Sequence, residues 1–155
     1  MSIIVERLDH LVLTVASIER TVAFYETVLG MTAIRFGPDG NRVALRFGDQ
    51  KINLHEVGRE LDLRAARATA GSGDLCFIVR NFDDVAGHLA ASGVEFIEGP
   101  EQRCGALGRI QWREGWDRDG NLIAVSRCDG GWRYPRRALR AAAGRGDGGR
   151  GRGGG

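Results

Sequence analysis

The chain uses one layout twice, and that repeat restricts its fold more than any single motif does. Residues 8–15, Leu-Asp-His-Leu-Val-Leu-Thr-Val, alternate so that Leu11, Leu13 and Val15 share one face of a strand and His10, Val12 and Thr14 the other. Residues 73–79, Gly-Asp-Leu-Cys-Phe-Ile-Val, set Leu75, Phe77 and Val79 against Asp74, Cys76 and Ile78 in the same way. Asp74 is therefore the positional twin of His10, 64 residues on. After the first strand, Ser17 reads as the N-cap of an amphipathic helix carrying Ile18, Val22, Tyr25, Val28 and Leu29, with Gly30 as its stop. Strands are expected at 31–36, 42–47 and 51–57, separated by Gly37-Pro38-Asp39-Gly40 and Gly48-Asp49. The second copy predicts a helix over 81–92 that buries Val85 and Leu89 and stops at Gly93, then strands at 94–98, 110–115 and 122–126. Several independent elements coincide, which is the mark of an internal duplication. The expected fold is α+β: two tandem βαβββ modules, about 6–57 and 72–127, in a domain over residues 1–128, with 58–71 as linker.

At 155 residues there is room for one core that needs neither disulfides nor metal to hold it. Cys76, Cys104 and Cys128 are odd in number and widely spaced, which suits a reducing compartment. The first residues lack a basic stretch followed by an apolar one, and no apolar run has the length of a bilayer span, so a cytoplasmic protein without membrane contact is expected. The net charge of +2 conceals a split. From Asp129 onward seven arginines face two aspartates, a tail of +5 that leaves the body at −3. The Arg/Gly-rich residues 129–155 have little to bury and much backbone entropy to lose, so disorder is expected there. Such a tail reads as a solvated extension, and the partner it suggests is RNA, held weakly through phosphates.

Residues 8–15, the stretch Thr21-Val22-Ala23-Phe24-Tyr25 with Val28-Leu29-Gly30-Met31, and Asp119-Gly120-Asn121-Leu122-Ile123 together resemble the vicinal oxygen chelate superfamily over about residues 6–127. That superfamily includes glyoxalase I, bleomycin and fosfomycin resistance proteins and extradiol dioxygenases. Residues 47–56 and 71–78 are most similar to its glyoxalase-domain-containing protein 5 subgroup. The resemblance implies sheets curled round a cavity with helices outside, a small-molecule substrate or ligand, and a divalent ion (Zn²⁺, Mn²⁺, Fe²⁺ or Ni²⁺) held by first and last strands. Its ligand positions fall on His10, Asn53, Asp74 and Ala124, the last replacing the usual glutamate.

Parity puts His55 on the face of Asn53, so His10, His55 and Asp74 form the candidate metal set, with Asn53 as a substrate contact. Arg42 and Arg46 alternate with Val43, Leu45 and Phe47, and so are candidate anion contacts or ion-pair partners of Asp74. Glu114 is the candidate catalytic base, since Glu56 points outward. Cys76 reads as a small filler and His88 as a surface residue of the second helix. Three functions are open: a metal-dependent lyase or dioxygenase, a metal-free binder of the resistance-protein kind, and an inactive scaffold whose tail touches RNA. The resemblance permits a homodimer or a closed monomer.

Overall fold

Apolar residues on alternate positions must find a cover, and in each sheet one face provides most of it. The computed structural model describes residues 2–129, except 60, 62 and 96 and the side chain of residue 98. The first module holds β1 (His10–Val15), α1 (Ile18–Leu29), β2 (Thr32–Phe36), β3 (Arg42–Phe47) and β4 (Gln50–Glu56). The second holds β5 (Asp74–Ile78), a 3₁₀ turn at Phe82–Asp84 leading into α2 (Val85–Ala91), then β6 (Glu98–Gly105), β7 (Gly108–Trp116) and β8 (Leu122–Cys128). Each module is βαβββ, and the sheets run β1-β4-β3-β2 and β5-β8-β7-β6 without closing into a barrel. In each sheet the first and last strands pair in parallel and the rest antiparallel.

The duplication extends to the register. Val12 pairs with Asn53 and Cys76 with Ala124, so the twin strands meet their partners at equivalent positions. One strand departs from the sequence reading: that expected at 94–98 is β6, running from Glu98 to Gly105. It pairs with β7 alone, so as an edge strand it needs no apolar alternation and tolerates Pro100. The helix expected over 81–92 is split, a 3₁₀ turn at Phe82–Asp84 leading into an α-helix at Val85–Ala91.

The covered faces share one core. Leu13, Val15, Val43, Leu45, Ile52 and Leu54 of the first sheet join Ile123 and Val125 of the second, with Phe24, Tyr25 and Val28 of α1 and Val85 and Leu89 of α2. Ile52 is fully buried, worth roughly 1.5–3 kcal/mol relative to exposure. Ser17 Oγ accepts from Arg20 N at the start of α1, and Gly30, at φ 63°, ends it in a conformation only glycine adopts freely. His88 is exposed, as the sequence indicates, and its Nε2 lies 2.9 Å from the Val28 carbonyl, which links the helices. The Phe47 and Phe77 rings meet edge to face at 5.4 Å, joining the sheets at their covered faces.

A polar knot closes the join. Asp117 Oδ2 accepts from Tyr25 Oη at 3.0 Å and from Asn121 Nδ2 at 2.8 Å, while Oδ1 accepts from the Asp119 and Asn121 amides at 2.9 Å. Asn121 Oδ1 accepts from Gly73 N at 2.7 Å, and Asp119 Oδ2 from Ala16 N at 2.8 Å. The turn between β7 and β8 thereby grips the first helix, the end of β1 and the entry to β5. Burial, reinforced by the neighbouring Asp117 carboxylate and its hydrogen bond, pushes the Tyr25 hydroxyl far above its ordinary value of 10.0.

That shift carries a sign. Above pH 10 the unfolded chain releases this proton while the fold retains it, so stability falls with rising pH by about 1.4 kcal/mol per unit. Tyr25→Phe is expected to remove this part of the alkaline slope at a cost of about 1 kcal/mol at neutral pH. Urea titrations across the alkaline range check it, and an unchanged slope would contradict the assignment.

No helix among the described residues is long and apolar enough to cross a membrane. The Arg/Gly tail from residue 130, and any RNA contact it makes, lie outside the described residues.

Candidate functional site

The face opposite the core is where chemistry is available. On the first sheet the register gathers His10, Val12 and Thr14 of β1, Lys51, Asn53 and His55 of β4, Arg42, Ala44 and Arg46 of β3, and Thr32, Ile34 and Phe36 of β2. This face carries Arg42, Arg46 and Lys51 and no carboxylate. Its counterpart on the second sheet carries Asp74, Cys76 and Ile78, Ala124 and Ser126, and Trp112, Glu114 and Trp116. The two open faces thus differ in sign.

A groove of about 890 Å³ is cut into the first module. Its lining includes Ile34, Phe36, Arg42, Asn53 and His55 from the open face, with Ile18 and Val22 of α1 beyond the sheet edge. The volume suits a ligand of drug size. Asn53 Oδ1 and His55 Nδ1 are buried atoms without a hydrogen-bond partner among the described residues. Leaving such an atom unpaired costs about 1–3 kcal/mol, so two of them beside one cavity mark a place built to receive a partner.

The candidate metal set fares differently. His10 is exposed, and its Nδ1 lies 2.8 Å from Asp9 Oδ1. The hydrogen bond from His10 outweighs the opposing desolvation and holds the Asp9 carboxyl below its ordinary value of 3.8. His55 lines the groove, whereas Asp74 is exposed on the other sheet. Among the described residues no three His, Cys, Asp or Glu side chains group closely enough to hold a metal ion. Parity correctly gives the face of each residue, but the faces belong to two sheets that meet through their covered sides. Among the described residues, His10, His55 and Asp74 do not come together as a set that fits a divalent ion.

Asp74 makes no ion pair with Arg42 or Arg46 among the described residues, because those arginines stand on the other sheet. Glu114 is 9% exposed, and its Cα partner across the ladder is Ala124, so a carboxylate sits one strand away from the position where the family usually has one. Glu114 does not line the first-module groove. Cys76 is exposed, with Sγ 3.2 Å from Ser126 Oγ. Two groups absent from the candidate residues border the groove, Phe36 within its lining and Lys51 over the Phe36 ring. Lys51 has the parity of Asn53 and His55, a signal present in the sequence. Its Nζ stands 4.0 Å over the Phe36 ring, which no spacing reveals.

Comparison with known proteins adds the following. The profile described as Glyoxalase/Bleomycin resistance protein/Dioxygenase superfamily matches residues 7–125. The chain is 47% identical over 127 residues to virulence protein STM3117 of Salmonella typhimurium, covering 81% of this chain and 87% of that protein. The crystal structure of STM3117 superposes with a TM-score of 0.79, covering 82% of this chain and all of that one. An integron cassette protein from the V. cholerae mobile metagenome, 48% identical, gives 0.80 over 83% of this chain and 100% of its own. TnmS3, an antibiotic binding protein from Streptomyces, shares the fold at 17% identity and a TM-score of 0.64, over 83% of this chain and 100% of its own.

Proposed function

Because the chain belongs to the glyoxalase/bleomycin resistance protein/dioxygenase superfamily, we propose that it is a small-molecule-binding member that holds an organic ligand without a metal. The observation that supports this most is the groove itself, with the buried and unpaired Asn53 Oδ1 and His55 Nδ1 on its wall. A ligand that satisfies both atoms recovers their desolvation penalty. A metal-dependent lyase or dioxygenase is the other reading of the family, and it needs His10, His55 and Asp74 at one point. The separate placement of those side chains and the methyl group of Ala124 favour binding over that chemistry.

The full chain is expected to gain roughly 5–10 °C in Tm with a saturating ligand from a panel of small organic acids and alcohols, equally with and without chelator. Thermal melts paired with metal analysis of the purified protein read this out. A shift that vanishes with chelator, together with stoichiometric metal, would restore the enzyme reading.

The open faces also point to a second copy of the chain as partner. Val12, Ile78 and Trp116 are 48%, 55% and 57% exposed on them, apolar area that a second copy would cover. Light scattering is expected to give a dimer mass, and Ile78→Asp a monomer; a wild-type monomer at micromolar concentration would remove this proposal. The free thiols of Cys76, Cys104 and Cys128 support a cytoplasmic location.

A further inference from the structure

We propose that the ligand of the first-module groove is a carboxylate with a flat apolar body and a hydrogen-bond donor at its far end, an assignment of ligand class that rests on the binding reading above. Among the described residues three glutamates line the groove, and two of them, Glu26 and Glu56, are committed to the protein, while Glu19 stands in the first turn of α1. Glu56 accepts from Ile18 N through Oε2 at 2.9 Å and meets Arg59 through Oε1 at 3.3 Å, and Glu26 Oε1 accepts from Ala33 N at 2.9 Å. Arg42 and Lys51 have no carboxylate within ion-pair distance among the described residues.

Both cations flank one ring. Phe36 is the ladder partner of Arg42 and carries the Lys51 ammonium 4.0 Å above its centroid. Gly37 follows Phe36 directly, and a Cβ there would stand 3.3 Å from Arg42 Cδ, so the missing side chain lets the arginine stem lie along the turn. The Arg42 guanidinium lines the groove beside an apolar wall of Phe36 and Ile34, and the Lys51 ammonium, outside that lining, stands over the same Phe36 ring, which together form a receptor for a carboxylate attached to an apolar body. The opposite need is set by Asn53, whose buried amide oxygen accepts nothing from the protein and therefore asks the ligand for a hydroxyl or amine hydrogen.

Three closely related probes separate these demands by isothermal titration calorimetry on the full chain: 4-hydroxyphenylacetate has both groups, phenylacetate lacks the donor, and 4-hydroxyphenylacetamide lacks the charge. The first is expected to bind about tenfold more tightly than either of the others. Arg42→Gln and Lys51→Gln should each shrink the preference for acid over amide to about threefold or less, with the circular dichroism spectrum and Tm unchanged. Asn53→Leu should bring the first probe down to the affinity of phenylacetate while the acid-over-amide preference remains.

Equal affinity of acid and amide for the wild type overturns the assignment and leaves a neutral-ligand cavity standing. Equal affinity of 4-hydroxyphenylacetate and phenylacetate overturns it through the donor. Failure of all three probes to bind also overturns it, and the chelator-independent thermal shifts described above then decide whether the binding reading falls with it.

Discussion

Asp117→Ala is expected to lower stability by about 3–4 kcal/mol and Tm by roughly 10 °C, measured by urea and thermal denaturation of the full chain. The carboxylate accepts from four donors, and alanine replaces none of those interactions. The Tyr25 side chain is completely buried, so its hydroxyl would lose its acceptor where water does not reach it. Asn121, also at zero exposure, would lose one of the anchors that let it hold Gly73 N. Asp117→Asn should lose less than alanine, because an amide oxygen can still accept from the Asp119 and Asn121 backbone. A loss below about 1 kcal/mol for alanine would mean that the turn is bystander rather than clasp.

Ala124→Glu is expected to cost about 2–4 kcal/mol at neutral pH and to recover as the pH falls. The site is 1% exposed, with Glu114 beside it across one ladder and Cys76 across the other. A second carboxylate placed there is desolvated and faces a like charge, and both effects raise its pKa. The folded state then holds a proton that the unfolded state has released, so the deficit grows as pH rises above about 4.3 and disappears below it. Combining the change with Glu114→Gln should return part of the loss, and a double-mutant cycle in urea measures that coupling. If Ala124→Glu proves neutral at pH 7, the open face of the second sheet is wetter than its burial indicates. Restoring the family's usual residue is thus not a simple reversal in this chain.

Much of the fold is legible in the sequence, because its determinants are local. Alternation in residues 8–15 and 73–79 fixes which side chains face the core, and Leu13, Val15 and Ile52 are buried where parity puts them. Ser17 and Gly30 mark the first helix because capping acts within one turn. The strand β6 is not legible, since an edge strand with one neighbour needs no hydrophobic period.

The candidate site divides in the same way. The common face of Arg42, Arg46, Asn53 and His55 follows from a period of two. The separation of His10 and His55 from Asp74 does not, because parity says nothing of how two sheets are set against each other. Asp117 illustrates the remaining gap. Its backbone contacts to Asp119 and Asn121 are a local turn pattern that a sequence can reveal, whereas its grip on Tyr25 spans 92 residues and needs the assembled fold.

The sidedness of each sheet bears on how such a chain changes over generations. Residues that hold the molecule together and residues that meet a ligand alternate along the same strands, yet they answer to separate selective pressures. A lineage can therefore exchange an acid for a methyl group at a position such as Ala124 and keep its architecture, and the copied half that loses one chemistry leaves the other half free to acquire a new clientele of metabolites.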